Sequence, residues 1–243
     1  MDDAERAGRI DLAAAFRWAA RYDWHESIAN HFSLAVSDDG SRFLLNPRGR
    51  HWSKMKASEL MLLDGETERV LAGEGPPDQT AWYIHSRLHK RVPHARCVLH
   101  VHSRYATALA ALKGVELLPV DQNCARFFER VAYDSTFTGF ALDNAEGDRI
   151  AAALGNKSVM VMGHHGITVV GPSVAAAFDE LYYFERSCET FMLALATGKE
   201  LSVIPDEIAR LTAQQWREYP DFAELHFSEL KRILDEEEPA YRA

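Results

Sequence analysis

Cys97-Val98-Leu99-His100-Val101-His102 is a short apolar run interrupted by two histidines. It is too short for most helices and Ser103 bounds it, so it reads as a buried strand. Residues two apart on a strand leave the same face, about 7 Å apart along the backbone, and His100 and His102 therefore project together. An unpaired imidazole is costly to bury, so each needs a ligand or a hydrogen-bonding partner. Downstream, Val159 to Met162 and Ile167 to Val170 are β-rich runs, and Gly163-His164-His165-Gly166 between them reads as a turn carrying imidazoles. A third histidine from that turn would complete a three-imidazole site with an open position, suited to one metal ion. Spacing alone fits ordinary packed histidines as well.

Upstream of this run, Ile10, Ala13, Ala14, Phe16 and Ala20 recur at helical spacing and predict an amphipathic helix from Glu5 to Tyr22. Phe32, Leu34 and Val36 alternate with small residues, Asp38-Asp39-Gly40 makes a turn, and Arg42 to Leu45 resumes, which predicts a β-hairpin. Leu60 to Asp64 is a further strand. Gly73-Glu74-Gly75-Pro76-Pro77 breaks the chain, and Asp78 is placed to cap a helix through Trp82, His85 and His89 towards Pro93. Beyond the central run the pattern predicts a helix from about Tyr105 to Leu112 and strand-like patches at Leu117-Leu118 and Val131-Ala132-Tyr133. A helix capped by Asn144 and ending at Leu154 follows, then a long helix from Val174 to Leu195 that stops at Gly198, and two more helices from about residue 205. No repeat or long linker divides the pattern. The reading is one α/β domain, 1–243, with helices on both faces of a central sheet.

Of 243 residues, 47% are hydrophobic and 26% charged, as in an ordinary globular protein. A net charge of -9 argues against nucleic acid or anionic lipid as partner and leaves small molecules and proteins. Cys97, Cys124 and Cys188 are odd in number and set among apolar residues, so they read as buried thiols of a reducing compartment. The N-terminus opens acidic, and no uncharged apolar run of about 18 residues occurs. A cytoplasmic protein without a membrane span is expected.

Four segments carry a resemblance: Ala29-Asn30-His31-Phe32-Ser33, Leu45-Asn46-Pro47-Arg48-Gly49-Arg50, Val98 to Leu109, and Met162 to Gly171. Together they resemble the class II aldolase and adducin head-domain family over about Asp11 to Ala196. The resemblance implies a three-layer α/β/α sandwich around a mainly antiparallel sheet, and members commonly form homotetramers with the site near a subunit interface. It implies His100, His102 and His165 as metal ligands; His164 stands where the family usually has Asn. The implied cofactor is one divalent metal ion, zinc foremost, with manganese, iron or cobalt also suited to three imidazoles and an open face. In the aldolases and epimerases of the family this ion polarises a carbonyl and a hydroxyl of the substrate and stabilises an enediolate.

Two departures from the family pattern bear on activity. Sugar-phosphate aldolases of the family carry Ser-Ser-Glu ahead of the histidine strand, the glutamate serving as acid/base; here the segment is Gln79-Thr80-Ala81. Alanine cannot transfer a proton, so Asp78, His85, Tyr83 or a group from another subunit would have to substitute. In phosphate recognition Asn30, Gly49 and Thr80 persist, but Gln79 replaces one serine and the turn reads Asn46-Pro47-Arg48-Gly49-Arg50. Arginine is a forked donor suited to carboxylate as well as phosphate, so the pocket is expected to prefer a carboxylate, unless Arg48 and Arg50 are solvated surface charges.

Asp121 to Phe128, Val131 to Tyr133 and Glu185 resemble the adducin-like branch, with Glu185 read as a polar or supporting residue. His25, His31, His51, His89, His94 and His226 read as surface or packing residues, His31 being notable beside Asn30. The sequence thus points to a metal-dependent lyase that cleaves a carbon–carbon bond of a small hydroxy- or oxo-carboxylate, by retro-aldol reaction or decarboxylation. The alternative is a non-catalytic adducin-like assembly or binding module, and a third reading is an iron-dependent oxygenase on the same ligands.

Overall fold

The hairpin forms as β1 (His31–Ala35) and β2 (Arg42–Leu45) in a computed structural model that describes residues 2–219 and 221–243. Before it runs α1 (Asp3–Arg21); after it come β3 (Met61–Asp64), β4 (Val70–Ala72) and α2 (Gln79–Arg91). The central run is β5 (Cys97–Val101), followed by α3 (Arg104–Ala110), α4 (Gln122–Arg126), β6 (Val131–Asp134) and α5 (Asn144–Leu154). Then β7 (Val159–Met162) and β8 (Gly166–Gly171) flank the histidine turn, and α6 (Val174–Ala196), α7 (Asp206–Glu218) and α8 (Phe222–Glu237) complete the described α-helices. The strands form one sheet in the order β4-β3-β2-β1-β5-β8-β7-β6, antiparallel throughout except for β6 beside β7.

Strand alternation sorts the apolar residues between two faces. Phe32, Cys97, Leu99, Val101, Val159, Val161, Ile167 and Val169 point to the core shared with α1, α3, α6 and α8. Val98, Met160, Met162 and Val170 point to the opposite core, under α2 and α5. These two helices pack closely, and a side chain on Gly147 would sit 2.4 Å from the Tyr83 carbonyl oxygen. This is the expected three-layer α/β/α fold. All three cysteines are free and buried, and among the described residues no helix is long and apolar enough to cross a membrane.

Three local expectations need correction, and two short elements were not expected. β5 ends at Val101, so His102 lies one residue beyond the strand. The cap of α5 is Asp143, whose carboxylate accepts from Glu146 N at 2.8 Å; Asn144 is the first helical residue. Leu117-Leu118 is not a strand, and the Leu117 N–H donates to the Tyr133 hydroxyl instead of a ladder. The five-residue α4 and the three-residue β4 escaped the pattern because neither is long enough to show a period.

Candidate metal centre

Because His100 has the parity of Val98, it leaves β5 on the α2/α5 side, and the chain reverses into α3 just after His102. Glu185 of α6 anchors that reversal, accepting from Ser103 Oγ at 2.7 Å and from the N–H groups of Tyr105 and Ala106 at 2.8 and 3.0 Å. It is a support behind the site. His165 enters from the β7–β8 turn, where His164 adopts a left-handed φ of 60° and stays exposed. A Cβ at Gly166 would lie 2.5 Å from His102 Cδ2 and 2.6 Å from the Val101 carbonyl oxygen, so glycine lets the turn close on the strand end.

The three rings converge. Ring centroids are 5.0 Å apart for His100 and His102, 4.8 Å for His100 and His165, and 4.7 Å for His102 and His165. One ring nitrogen from each lies within 4.8 Å of the others. His100 Nδ1 donates to the Ile167 carbonyl at 2.9 Å and His102 Nδ1 meets the Glu26 carboxylate, which leaves both Nε2 atoms free. These two Nε2 atoms are 3.2 Å apart. With both Nδ1 positions protonated they present lone pairs to one another, an arrangement that calls for a cation between them; two ligands of a tetrahedral zinc at about 2.0–2.1 Å would stand at about this separation. Burial, then neighbouring His31, His165, His102 and His85, pushes His100 well below the usual imidazole range, and burial, then His102, takes His165 to about 4. Both are neutral at pH 7, as metal ligation requires. The donor set fits a divalent ion.

The triad floors a cavity of about 550 Å³. Asn30, Arg48 and Thr80, the candidate substrate-binding residues, line it, and so does Asp78, a candidate acid/base. Arg48 is exposed on the rim with no ion-pair partner among the described residues. Asn30 keeps its amide oxygen buried without a partner among the described residues. Asp78 caps α2, accepting from Thr80 Oγ1 at 2.7 Å and Ala81 N at 3.2 Å. Burial raises its carboxyl, but these hydrogen bonds and nearby His31 outweigh that and hold it below the usual range, so it is an anion at neutral pH.

Other expected positions lie outside. Gly49 and Gln79 are exposed away from the cavity, because the turn and the first helical position point to solvent. Tyr83 packs on Trp82 at 5.0 Å on another side of α2. His85 is fully buried behind the wall, so it reaches the cavity only through His31. Ala81, the position of the family's glutamate, is fully buried with Phe43, Leu45, Met61, Leu63 and Trp82. The α2 helical residues that do line the cavity are Thr80 and Ile84, one turn apart. Arg50 is bound to Glu59 at 2.8 Å and does not line it.

The sequence reading missed Glu26, Arg149, Phe137 and Phe140. Arg149 is held by Asp134 at 2.7 Å and by Glu146 at 2.8 Å, and Phe137 approaches the His164 and His165 rings at 6.4 and 6.3 Å. These residues sit in irregular segments or on a helix face where no spacing singles them out. His31 had a signal: it pairs with His100 across β1 and β5, and the rings stack at 4.9 Å and 24°.

The fold defines a class of protein, and the comparisons agree with it. The chain belongs to the class II aldolase and adducin N-terminal domain family, whose model matches residues 10–192. A provisionally named aldolase class 2 protein of Pseudomonas aeruginosa is 31% identical, over 98% of this chain and 93% of its own length. The decarboxylase NovR of Streptomyces niveus is 29% identical over 92% of this chain and 84% of its own. Among solved structures, an aldolase II superfamily protein of Pseudomonas syringae superposes with a TM-score of 0.91 at 32% identity, covering 100% of this chain and 98% of that one. An L-fuculose 1-phosphate aldolase of Glaciozyma antarctica shares the fold with a TM-score of 0.85 at 24% identity, covering 99% and 93%.

Proposed function

We propose that this protein is a metal-dependent carbon–carbon lyase that acts on a small hydroxy- or oxo-carboxylate, by decarboxylation or retro-aldol cleavage. The observation that carries the reading is the convergence of His100, His102 and His165 on the floor of a cavity whose rim holds Arg48. The triad would hold one divalent ion, zinc foremost, which supplies Lewis acidity towards substrate oxygens when bound. Glu26, Asp78 and Glu146 against Arg48 and Arg149 make the lining slightly negative, and a divalent charge turns the balance positive, which suits a small anion. Arg48 orients a carboxylate as a forked donor, and Asn30 adds a polar contact.

Ala81 faces the core, so no carboxylate can act from that position. Asp78 is the anionic side chain left at the start of α2, and its low affinity for a proton makes it a weak base. Decarboxylation needs less of a base than aldol cleavage, and the relationship to a decarboxylase supports that choice. A homotetramer, or at least a homodimer, fits the apolar side chains left open, among them Phe140 at 83%, Leu225 at 67% and Leu193 at 57% exposure.

Elemental analysis of untagged protein purified without added metal tests the triad, with about one divalent ion per chain expected. Calorimetric titration of the metal-loaded protein compares pyruvate-like and aromatic acids with L-fuculose and L-ribulose phosphates. Tighter binding or turnover of the phosphosugars would overturn the substrate class. Light scattering that finds a 27.4 kDa monomer at dilute concentration would overturn the assembly.

A further inference from the structure

Behind the cavity wall a buried chain of hydrogen bonds runs from β1 to α2, and its end point fixes every proton along it. The Ala95 carbonyl can only accept, so His89 Nδ1, at 2.7 Å, carries a hydrogen. His89 is buried with no carboxylate partner among the described residues and is therefore neutral, which leaves its Nε2 as an acceptor for the Ser33 hydroxyl at 2.7 Å. Ser33 has one hydrogen, now committed, so its oxygen accepts from His85 Nδ1 at 2.5 Å. His85 is fully buried and neutral, so its Nε2 accepts from His31 Nδ1 at 2.6 Å. His31 is thereby left with a bare Nε2, on a ring that lines the cavity and stacks on His100. His31 is likewise buried with no carboxylate partner among the described residues and is neutral on the same ground, and burial above all pushes His89 to about 4 and His85 well below the usual range.

We infer that Ser33, His85 and His89 form a tautomer relay that presents His31 Nε2 to the cavity as a hydrogen-bond acceptor, and that this atom selects a ligand with a hydroxyl donor, a 2-hydroxy acid over the matching 2-oxo acid. The ligand half of this inference rests on the carboxylate reading above; the relay does not. His31 Nε2 has no protein partner among the described residues and lies outside the converging triad, so it is free for a ligand. A keto oxygen offers it no hydrogen, and two acceptors face each other; a hydroxyl satisfies it. Ser33, His85 and His89 are positioning residues, since none of them lines the cavity and they act on it only through His31.

The test uses full-length, zinc-loaded protein with ¹⁵N-labelled histidine, read by solid-state NMR, with His31→Gln to assign the signals. A protonated Nδ1 and an unprotonated, metal-free Nε2 are expected for His31. A proton or zinc on Nε2 overturns the relay. Ser33→Ala removes the acceptor for His85 Nδ1 and should release the fixed tautomer of His31, whereas Ser33→Thr keeps it; an unchanged His31 in Ser33→Ala also overturns the relay. In calorimetry, wild type and Ser33→Thr should bind one lactate enantiomer about three- to tenfold more tightly than pyruvate, and Ser33→Ala should bind the two about equally. Equal binding by wild type, or preference for pyruvate, overturns the acceptor role. If no acid binds while fuculose 1-phosphate does, the carboxylate reading and the ligand half fall together, and the NMR result alone decides the relay.

Discussion

Odd and even residues of β5 face two differently built cores. On one side Cys97, Leu99 and Val101 enter an unbroken apolar cluster between the sheet, α1 and α6. On the other, Val98 starts in a similar cluster under α2 and α5, but the next residue on that face is His100, and from there towards β1 the layer becomes imidazole and hydroxyl: His31, Ser33, His85 and His89. The same sheet thus stabilises the fold with one face and holds chemistry with one end of the other. The polar end is tolerable because the buried ring nitrogens of His85 and His89 are partnered, and because the open nitrogens of the triad and of His31 face the cavity.

This comparison breaks first if adjacent residues of β5 fail to separate. Leu99→Ala leaves a cavity in the apolar core and should cost about 2–5 kcal/mol in denaturant unfolding while about one metal ion per chain is retained. His100→Ala should do the reverse. Metal affinity should fall by more than about a hundredfold, beyond the range for loss of an outer partner, with a smaller loss of stability in the chelated protein. Parallel losses of metal and stability in both variants would erase the distinction between the faces.

Above about pH 5, acid should act mostly on the polar end, where burial holds His85 and His89 below the usual imidazole range. For His89 the folded value lies below the unfolded one of about 6.5, so between pH 6.5 and about 4 the unfolded chain binds more protons than the folded one. Stability should therefore be fully present above pH 6.5 and decline as pH falls towards 4, measured as denaturant midpoints of the chelated protein. His89→Gln should flatten that decline. An equally steep profile in the variant would remove His89 from the account.

A smaller effect is expected one residue outside the triad. Glu26 holds His102 through Nδ1, and loss of such a partner lowers metal affinity by about 10- to 100-fold. Because its carboxylate is 60% exposed, Glu26→Gln should lie near the lower figure. Competition with a chelator measures it, and wild-type affinity would mean that the Ile167 and Gly166 contacts suffice to orient the rings.

The two faces also differ in how much the sequence discloses. Apolar alternation and caps such as Asp78 are local signals, so most elements and the layer order are legible in the amino-acid pattern alone. The His100, His102 and His165 set is readable because two members share one strand face and the third sits in a tight turn. The rest of the site depends on contacts distant in the chain. Glu26 meets His102 across 76 residues, and His31 meets His85 across 54, distances at which spacing carries no information. Ala81 shows a further limit: its identity is plain in the sequence, yet the face of α2 that it occupies is decided by packing against Phe43 and Met61.

The smallest effect concerns the rim. Arg48 is the cavity cation without an internal partner among the described residues, whereas Arg149 is already saturated by Asp134 and Glu146. A charged hydrogen bond to carboxylate is worth about 1.5–3 kcal/mol when desolvated, and exposure at the rim reduces that. Arg48→Ala should thus weaken a carboxylate ligand by about three- to tenfold in calorimetry, with metal content unchanged. Arg48→Lys separates geometry from charge: a bidentate contact would be lost with the fork, while a purely Coulombic one would survive. If both variants bind carboxylates as wild type does, Arg48 is a solvated surface charge, and the anion must be oriented by the metal centre and Asn30, deeper in the cavity than the guanidinium at its rim.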